Sequence, residues 1–330
     1  MKNPKIGIVG IGMVGGPLKK YFEEKGLKRG KDLFCYDADK KKGFFDDVSK
    51  ADIIFISVPT PRNPDGSCST EIVESVIKKF HDKNKVLVVK STVEPGTAAR
   101  LQKKYKSPIL FNPEFLTESR AWEDFIRPDR QVVGHTVKSV THASNVLNLL
   151  PQAFFSSPGT LGTYDFYRLT TSEAEMGKYA GNVFGAMKVV FGNILADFCA
   201  ALEKTLQKDG IKEDVRYENV RRMLGHDRRI GDAWLDVSYG KYRGFGGYCF
   251  PKDTDAFIVF AKKIHKKLSA KDKDEQNLKK LVGRGIDFLE AMRDYNTELL
   301  KTQGLTVQDV SSHDSELAEK LKRLKSKKAL

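Results

Sequence analysis

Residues Lys5 to Gly15 read KIGIVGIGMVG, and the fold turns on how they are read. Lys5 to Val9 has the pattern of a short buried strand. Gly10, Gly12 and Gly15 follow in GxGxxG spacing, and Pro17 to Glu24 is amphipathic, as a helix would be. A second strand pattern, Asp32 to Tyr36, ends in Asp37, about twenty residues past the glycines, where a dinucleotide fold places the acid that holds a ribose hydroxyl. Strand, glycine turn, helix, strand and acid together point to a dinucleotide cofactor, and an acid at that position favours NAD over NADP. The glycines let backbone N–H groups approach a pyrophosphate at a helix N-terminus, so Met13 and Val14 join Gly10, Gly12, Gly15 and Asp37 as expected cofactor contacts. The plain alternative is a Gly-rich turn in an unrelated α/β fold. Lys42 either flanks the adenosine or is one more surface lysine.

The alternation continues outward from that unit. Ala51 to Val58 is a continuous apolar strand of the kind found in a parallel sheet covered on both faces, ending in Pro59, Thr60 and Pro61. Glu71 to Phe80 reads as a helix capped by Ser69 or Thr70. Further strands are expected at Val86 to Lys90, at Leu110–Phe111 and at Gln131 to Gly134. Thr60, Ser91, Thr92 and Glu114 fall at the C-terminal ends of strands, the ligand-binding edge of an open parallel sheet. Taken singly, each is as well explained as a turn or cap residue. The expected fold class is α/β, a Rossmann-type doubly wound parallel sheet followed by an all-helical central domain.

The second half changes character. Ser172 with Glu175 has capping-box spacing, and no proline follows until well past Lys204. A helix of that extent is roughly 50 Å long at 1.5 Å per residue. Lys178 and Asn182, four apart, share a face of it and are flanked by apolar residues, as in a desolvated active-site pair or a snorkelling lysine beside a paired amide. Further on, Gly244 to Thr254 reads GFGGYCFPKDT. Pro251 suits a first helical turn, and a thiol at a helix N-terminus beside Lys252 is in the surroundings that make a cysteine nucleophilic. The alternative is a structural glycine turn with an inert thiol.

Composition narrows the classes. The chain has 330 residues and a formal net charge of +14, with no aromatic-interleaved basic motif, so nucleic acid is not the expected partner. Cys35, Cys68, Cys199 and Cys249 are dispersed and form no CxxC, which argues against a metal site or redox pair and suits a reducing cytoplasm. The N-terminus runs straight into a strand pattern, so no signal peptide is read, and no run of eighteen apolar residues signals a membrane span.

GIGMVG, SVPTP with DGS, KSTVEPGT, NPEFLTES with PDRQVVG, EMGKYAGNVF and GFGGYCFPKDT occur together and in this order. The set resembles the UDP-glucose/GDP-mannose dehydrogenase family from about Lys5 to Phe260; NPEFL with a later GGxCFPKDT is its most specific part. The resemblance implies a two-step, NAD-dependent oxidation of the C6 hydroxyl of a nucleotide sugar, UDP-glucose to UDP-glucuronate foremost. It implies Cys249 as the nucleophile, Lys178 and Asn182 as oxyanion and water-fixing groups, Asp253 as their partner acid, Glu114 as acid/base and Thr92 as the residue that positions water. It adds Val58, Pro59, Thr60, Ser91, Thr92, Glu118 and Lys252 as cofactor contacts. Substrate contacts would be Glu114, Phe115, Leu116, Lys178, Asn182, Arg229, Tyr239, Phe245, Gly246 and Cys249, with Arg229 acting across a subunit interface.

The sequence departs from the family pattern in three places. The stretch from Asp37 to Val58 is too short for the family's extra helix, the spacing from Arg229 to Cys249 is longer, and no counterpart of the family's C-terminal nucleotide-clasping domain is read after Lys262. The expected division is an NAD-binding domain over 1–168, a helical central and dimerisation domain over 169–305, and a charged tail over 306–330, in a homodimer. Two other readings stay open: a single-step β-hydroxyacid-type dehydrogenase, which needs no cysteine, and a non-catalytic NAD or nucleotide-sugar binding protein.

Overall fold

The structure, a computed structural model, describes residues 4–155, 162–238, 242–311 and Glu319. It divides into two compact units, one running to Tyr179 and one from Ala180, with Asp65–Ser67 counted in the second.

The first unit is built on the apolar runs of its N-terminal sequence. Strand β1 (Ile6–Val9) leads through the glycine turn into helix α1 (Gly15–Glu24), and β2 (Leu33–Tyr36) follows. Two short 3-10 turns, Lys40–Lys42 and Val48–Lys50, then occupy the shortened stretch before β3 (Ile53–Ile56). Next come α2 (Glu71–Phe80), β4 (Val86–Val89), α3 (Thr97–Tyr105), β5 (Ile109–Phe111), α4 (Ala121–Ile126), β6 (Arg130–Val132), β7 (Gly134–His135), α5 (Val140–Leu149) and β8 (Tyr164–Phe166).

The main sheet has the order β2-β1-β3-β4-β5-β7, parallel except for β7. Alternate residues of its strands enter different apolar clusters. Ile53 and Phe55 pack with Leu18, Phe22 and Phe125, whereas Ile54 and Ile56 pack with Val73, Ile77 and Leu101. Every residue of β1, β3 and β4 is buried, as a sheet covered on both faces requires. The strand order reverses between β1 and β3, the switch point at which open sheets of this kind bind ligands.

Three local expectations are corrected. The single strand expected over Gln131 to Gly134 is two: β6 pairs with β8 in a small separate sheet, and β7 joins β5 in the main one. Thr70 stands at the N-cap of α2 without a side-chain cap bond. The capping box of the long helix, α6 (Thr171–Lys208), is Thr170 with Glu173: Thr170 N and Oγ1 both donate to Glu173 Oε2, and Glu173 N donates to Thr170 Oγ1. Glu175 instead turns inward and accepts N–H bonds from Gly96 and Ala98, which caps α3 from within the same unit.

The second unit takes the rest of α6, then α7 (Tyr217–Gly225), α8 (Cys249–Lys267), α9 (Lys273–Thr302) and α10 (Val307–Val310). Its core gathers Val183, Ala186, Val190, Phe245 and Met292, with Phe250, Phe257 and Leu289 against them. Gly185 explains how α8 fits α6: a Cβ there would lie 2.6 Å from the Phe250 ring. At 38 residues, α6 is also the one helix among the described residues long and apolar enough to cross a membrane by length and composition, a window that a simple count of consecutive apolar residues passes over.

Candidate active site

The glycine turn is shaped for a ligand. Gly10 has φ +90°, and a Cβ on it would sit 2.5 Å from the Ser57 carbonyl oxygen. A Cβ on Gly15 would sit 1.9 Å from the Gly10 carbonyl oxygen, so this glycine lets α1 start directly against the end of β1. Gly12 differs: a Cβ there would meet no protein atom. Protein packing does not demand glycine at position 12, whereas close approach of a pyrophosphate does. Met13 and Val14 form the turn, half-buried, ahead of α1.

Asp37 follows β2 at the same edge of the sheet. Its carboxylate accepts N–H bonds from Ile11 (2.7 Å) and Asp39 (2.9 Å) and an ion pair from Lys42 (3.0 Å), and Lys42 also donates to the Ile11 carbonyl. Burial works against its ionisation, but the backbone donors and the Lys42 ammonium outweigh burial and hold the carboxyl below its usual range. Lys42 is therefore the ion-pair partner of Asp37 rather than a detached surface lysine. On the other side of the switch point are half-buried Val58, exposed Pro59 and buried Thr60, with Ser91 Oγ donating to the Val58 carbonyl at 2.7 Å. The Thr92 carbonyl receives the Cys68 thiol at 3.4 Å. Glu118 opens a 3-10 turn after the NPEFLT stretch, half-buried. This glycine cradle, with an anchored acid beside it, fits a dinucleotide.

The first unit also holds a buried charge cluster. Lys178, 5% exposed, donates to the Glu114 carboxylate at 2.8 Å and to the Glu114 carbonyl at 2.7 Å. Leu116 N donates to the other oxygen of the carboxylate. Burial pushes the Glu114 carboxyl up, but Lys178, the Leu116 amide and Lys90 pull it further down, so it stays ionised. Phe115 lies under the Arg130 guanidinium, 3.7 Å from the ring centre, and the Leu116 side chain packs into the sheet core.

Lys90 is the member that sequence reasoning passed over. It directly follows β4, is 3% exposed, and donates to Asn112 Oδ1 at 2.5 Å; Asn112 in turn donates to Gln131 and to the Val132 carbonyl. Burial pushes its amine down to about 8. The available signal was a charged residue closing the otherwise wholly apolar VLVVK.

In the second unit Cys249 is the first residue of α8, half-buried and outside any disulfide. One turn on, Asp253 is 1% exposed and takes an ion pair from Lys252 at 2.6 Å and the Asn182 amide at 2.6 Å. The acid therefore fixes the amide of α6 and a buried ammonium with its two oxygens. Three of the expected substrate contacts have partners within the unit. The Phe245 side chain is in the core, Gly246 is closed in by Tyr242 and Val310, and Arg229, with an 85% exposed side chain, is tied to Asp227 of its own turn. Tyr239 lies outside the described residues.

A parallel sheet with a dinucleotide turn at its switch point, followed by a helical unit, defines the nicotinamide-dependent dehydrogenase class. Within it, profiles of the UDP-glucose/GDP-mannose dehydrogenase family match residues 44–149 as its NAD binding domain and 172–273 as its central domain; the chain belongs to this family, and the cofactor of its first unit is NAD. A UDP-glucose 6-dehydrogenase of Pseudomonas aeruginosa is 34% identical over 225 residues, 64% of this chain and 45% of that protein. UDP-glucose 6-dehydrogenase AglM of Haloferax volcanii is 31% identical over 258 residues, 72% and 55% of the two. The chain thus spans about half the length of the curated relatives it matches. Among solved structures, a UDP-glucose dehydrogenase of Pyrobaculum islandicum superposes with TM-score 0.65 at 26% identity, covering 92% of this chain and 71% of that one. The fold is also shared with a 3-hydroxyisobutyrate dehydrogenase of Mycobacterium tuberculosis, 13% identical with TM-score 0.52, which this chain covers to 99%.

Proposed function

We propose that this chain oxidises the C6 hydroxyl of a nucleotide sugar to the carboxylate, UDP-glucose to UDP-glucuronate, in two NAD-dependent steps through a covalent adduct on Cys249. The observation that carries the reading is the place of Cys249 at the first position of α8, one turn before the Lys252–Asp253–Asn182 group. Bound NAD supplies the hydride acceptor for each oxidation.

In this reading the first oxidation gives the C6 aldehyde. The Cys249 thiolate adds to its carbonyl carbon, and the oxyanion that forms takes a proton to give a thiohemiacetal. A second two-electron oxidation gives a thioester. Water then attacks the thioester, releasing the carboxylate and the thiol. Lys178 and Asn182 stabilise the oxyanions, Glu114 moves the proton of the attacking water, Thr92 positions that water, and Asp253 fixes Asn182. The burial and pairing of Lys178 and Glu114 support these roles, because charges already held in place need no reorganisation when charge develops. Gly12, Asp37 and Lys42 hold NAD. The enzyme is read as a cytoplasmic homodimer that pairs through α6.

The reading is tested by following NADH with UDP-glucose and other nucleotide sugars. Two NADH per sugar acid formed, and loss of acid formation in Cys249→Ala, are expected. The second reading is a single-step β-hydroxyacid-type dehydrogenase, which needs no cysteine, and full activity in Cys249→Ala would establish it. Tight NAD binding without turnover of any nucleotide sugar would leave a binding protein.

A further inference from the structure

The loop before Cys249 does not hold its shape alone. Three alternate residues, Arg243, Phe245 and Gly247, donate their backbone N–H groups to the C-terminal segment. Arg243 N bonds Gln303 Oε1 at 2.7 Å, Phe245 N bonds Asn296 Oδ1 at 2.7 Å, and Gly247 N bonds the Val310 carbonyl at 2.8 Å. The two side-chain amides also return a donor: Gln303 Nε2 to the Arg243 carbonyl at 2.9 Å, and Asn296 Nδ2 to the Phe245 carbonyl at 3.1 Å. Each amide therefore pairs both backbone groups of one loop residue, as a neighbouring strand would. A carboxylate could accept the first bond but not donate the second.

The glycines of GFGGYC fit this arrangement better than they fit a ligand. Gly244 has φ +101°, and a Cβ on it would sit 2.6 Å from Asn296 Oδ1. A Cβ on Gly246 would sit 2.2 Å from the Tyr242 hydroxyl and 2.8 Å from Val310. Two of the three glycines make room for the residues that hold the loop, and only Gly247 faces open space. Asn296 is 1% exposed, so its pairing is shielded from water. Arg243 extends the support to α6, bonding Asn193 Oδ1 at 3.0 Å and Asp197 at 2.7 Å.

We propose that Asn296 of α9 and Gln303, the residue after it, are the positioning residues of the nucleophile loop, setting where Cys249 stands at the start of α8. This rests on the reading of Cys249 as nucleophile. Asn296, Gln303 and Val310 all lie beyond residue 273, where the match to the family's central domain ends, so a segment outside that match completes the cysteine site.

The test uses the full chain with Asn296→Leu and, separately, Gln303→Leu. The rate at which iodoacetamide labels Cys249 is read by peptide mass spectrometry against Cys199, a buried thiol of the same unit. Folding is checked by circular dichroism, and NAD binding and steady-state kinetics are measured alongside. Labelling of Cys249 should rise about tenfold, the effect of removing one or two hydrogen bonds from local closure, with Cys199 unchanged. NAD affinity should stay at the wild-type value, because the glycine turn is untouched. The kcat for sugar oxidation should fall while the KM for NAD does not move. If Asn296→Leu does not fold, Gln303→Leu, at a half-buried position, decides alone. Wild-type labelling of Cys249 in the folded variants overturns the proposal. Labelling needs no turnover, so absence of NADH production in the wild type would count against the function and leave the clamp to be decided by the labelling.

Discussion

Lys90 directly follows β4, whose residues are Val86, Leu87, Val88 and Val89, and it is the most deeply enclosed charge of the Glu114 cluster. Its ammonium has one acceptor, Asn112, so burial dominates, with Lys178 pushing the same way and Glu114 opposing. The folded value of about 8 lies below the ordinary 10.5. Between those two values the unfolded chain binds the extra proton, so the folded state gains stability as pH rises; below about 8 the cost of holding the charge is fully present. Lys90→Met removes that titration and leaves Asn112 without its donor at every pH. Relative to the wild type, the variant should therefore lose roughly 3 kcal/mol of stability between pH 8 and 10.5. Urea unfolding of both proteins across that range measures the difference, and a difference flat with pH would contradict it. Asp37, Glu114, Lys178 and Cys249 stood out in the sequence as candidates because each falls in a motif that suggests chemistry. Lys90 carries its meaning only through burial, which one sequence does not display.

At the scale of the element, the glycine turn separates what holds the fold from what holds the cofactor. Gly15→Ala drives a Cβ into the Gly10 carbonyl, so the turn must open, at a cost of about 1–3 kcal/mol. Gly12→Ala meets no protein atom and should unfold within roughly 0.5 kcal/mol of the wild type. In the proposed NAD site its methyl would occupy the approach of the pyrophosphate, so NAD affinity should fall by about tenfold or more, as when a close contact is lost at a preorganised site. Thermal unfolding paired with a fluorescence titration of NAD separates the two, and loss of stability in Gly12→Ala would mean the glycine serves the fold. The apolar strands were readable because burial on both faces leaves an unbroken signal, as in Ile53–Ile56. The break between β6 and β7 was not. Gly134 opens β7 under a packing constraint from the start of α6: a Cβ on it would sit 2.7 Å from the Thr170 carbonyl and 2.8 Å from Ala174, which the local sequence does not display. The capping box was misplaced for a similar reason. Two pairs share the spacing, and Glu175 is claimed by α3, whose first residues lie 77 and 79 positions away in the chain.

At the scale of the molecule, the second unit leaves one apolar helix face exposed among the described residues. Phe184, Phe191 and Phe198 recur every seven residues along α6 and are 58%, 50% and 65% exposed, with Leu202 continuing the row. Seven-residue spacing keeps side chains on one seam of a helix, the pattern by which two helices pack together. Burying one such ring contributes about 1.5–3 kcal/mol, so three rings from each of two copies make a substantial core for an interface. The same face would also suit a lipid environment by composition, and α6 passes the length and hydropathy test for a membrane span. The two occupants are separated by one variant. Phe191→Glu places a charge at the middle of the seam, which a monomer in water tolerates and an apolar interface does not. Light scattering should give twice the mass of one 37.1 kDa chain for the wild type without detergent, and one chain for the variant, with unchanged circular dichroism. A wild-type monomer would remove the pairing through α6, and a requirement for detergent would reassign the face to lipid.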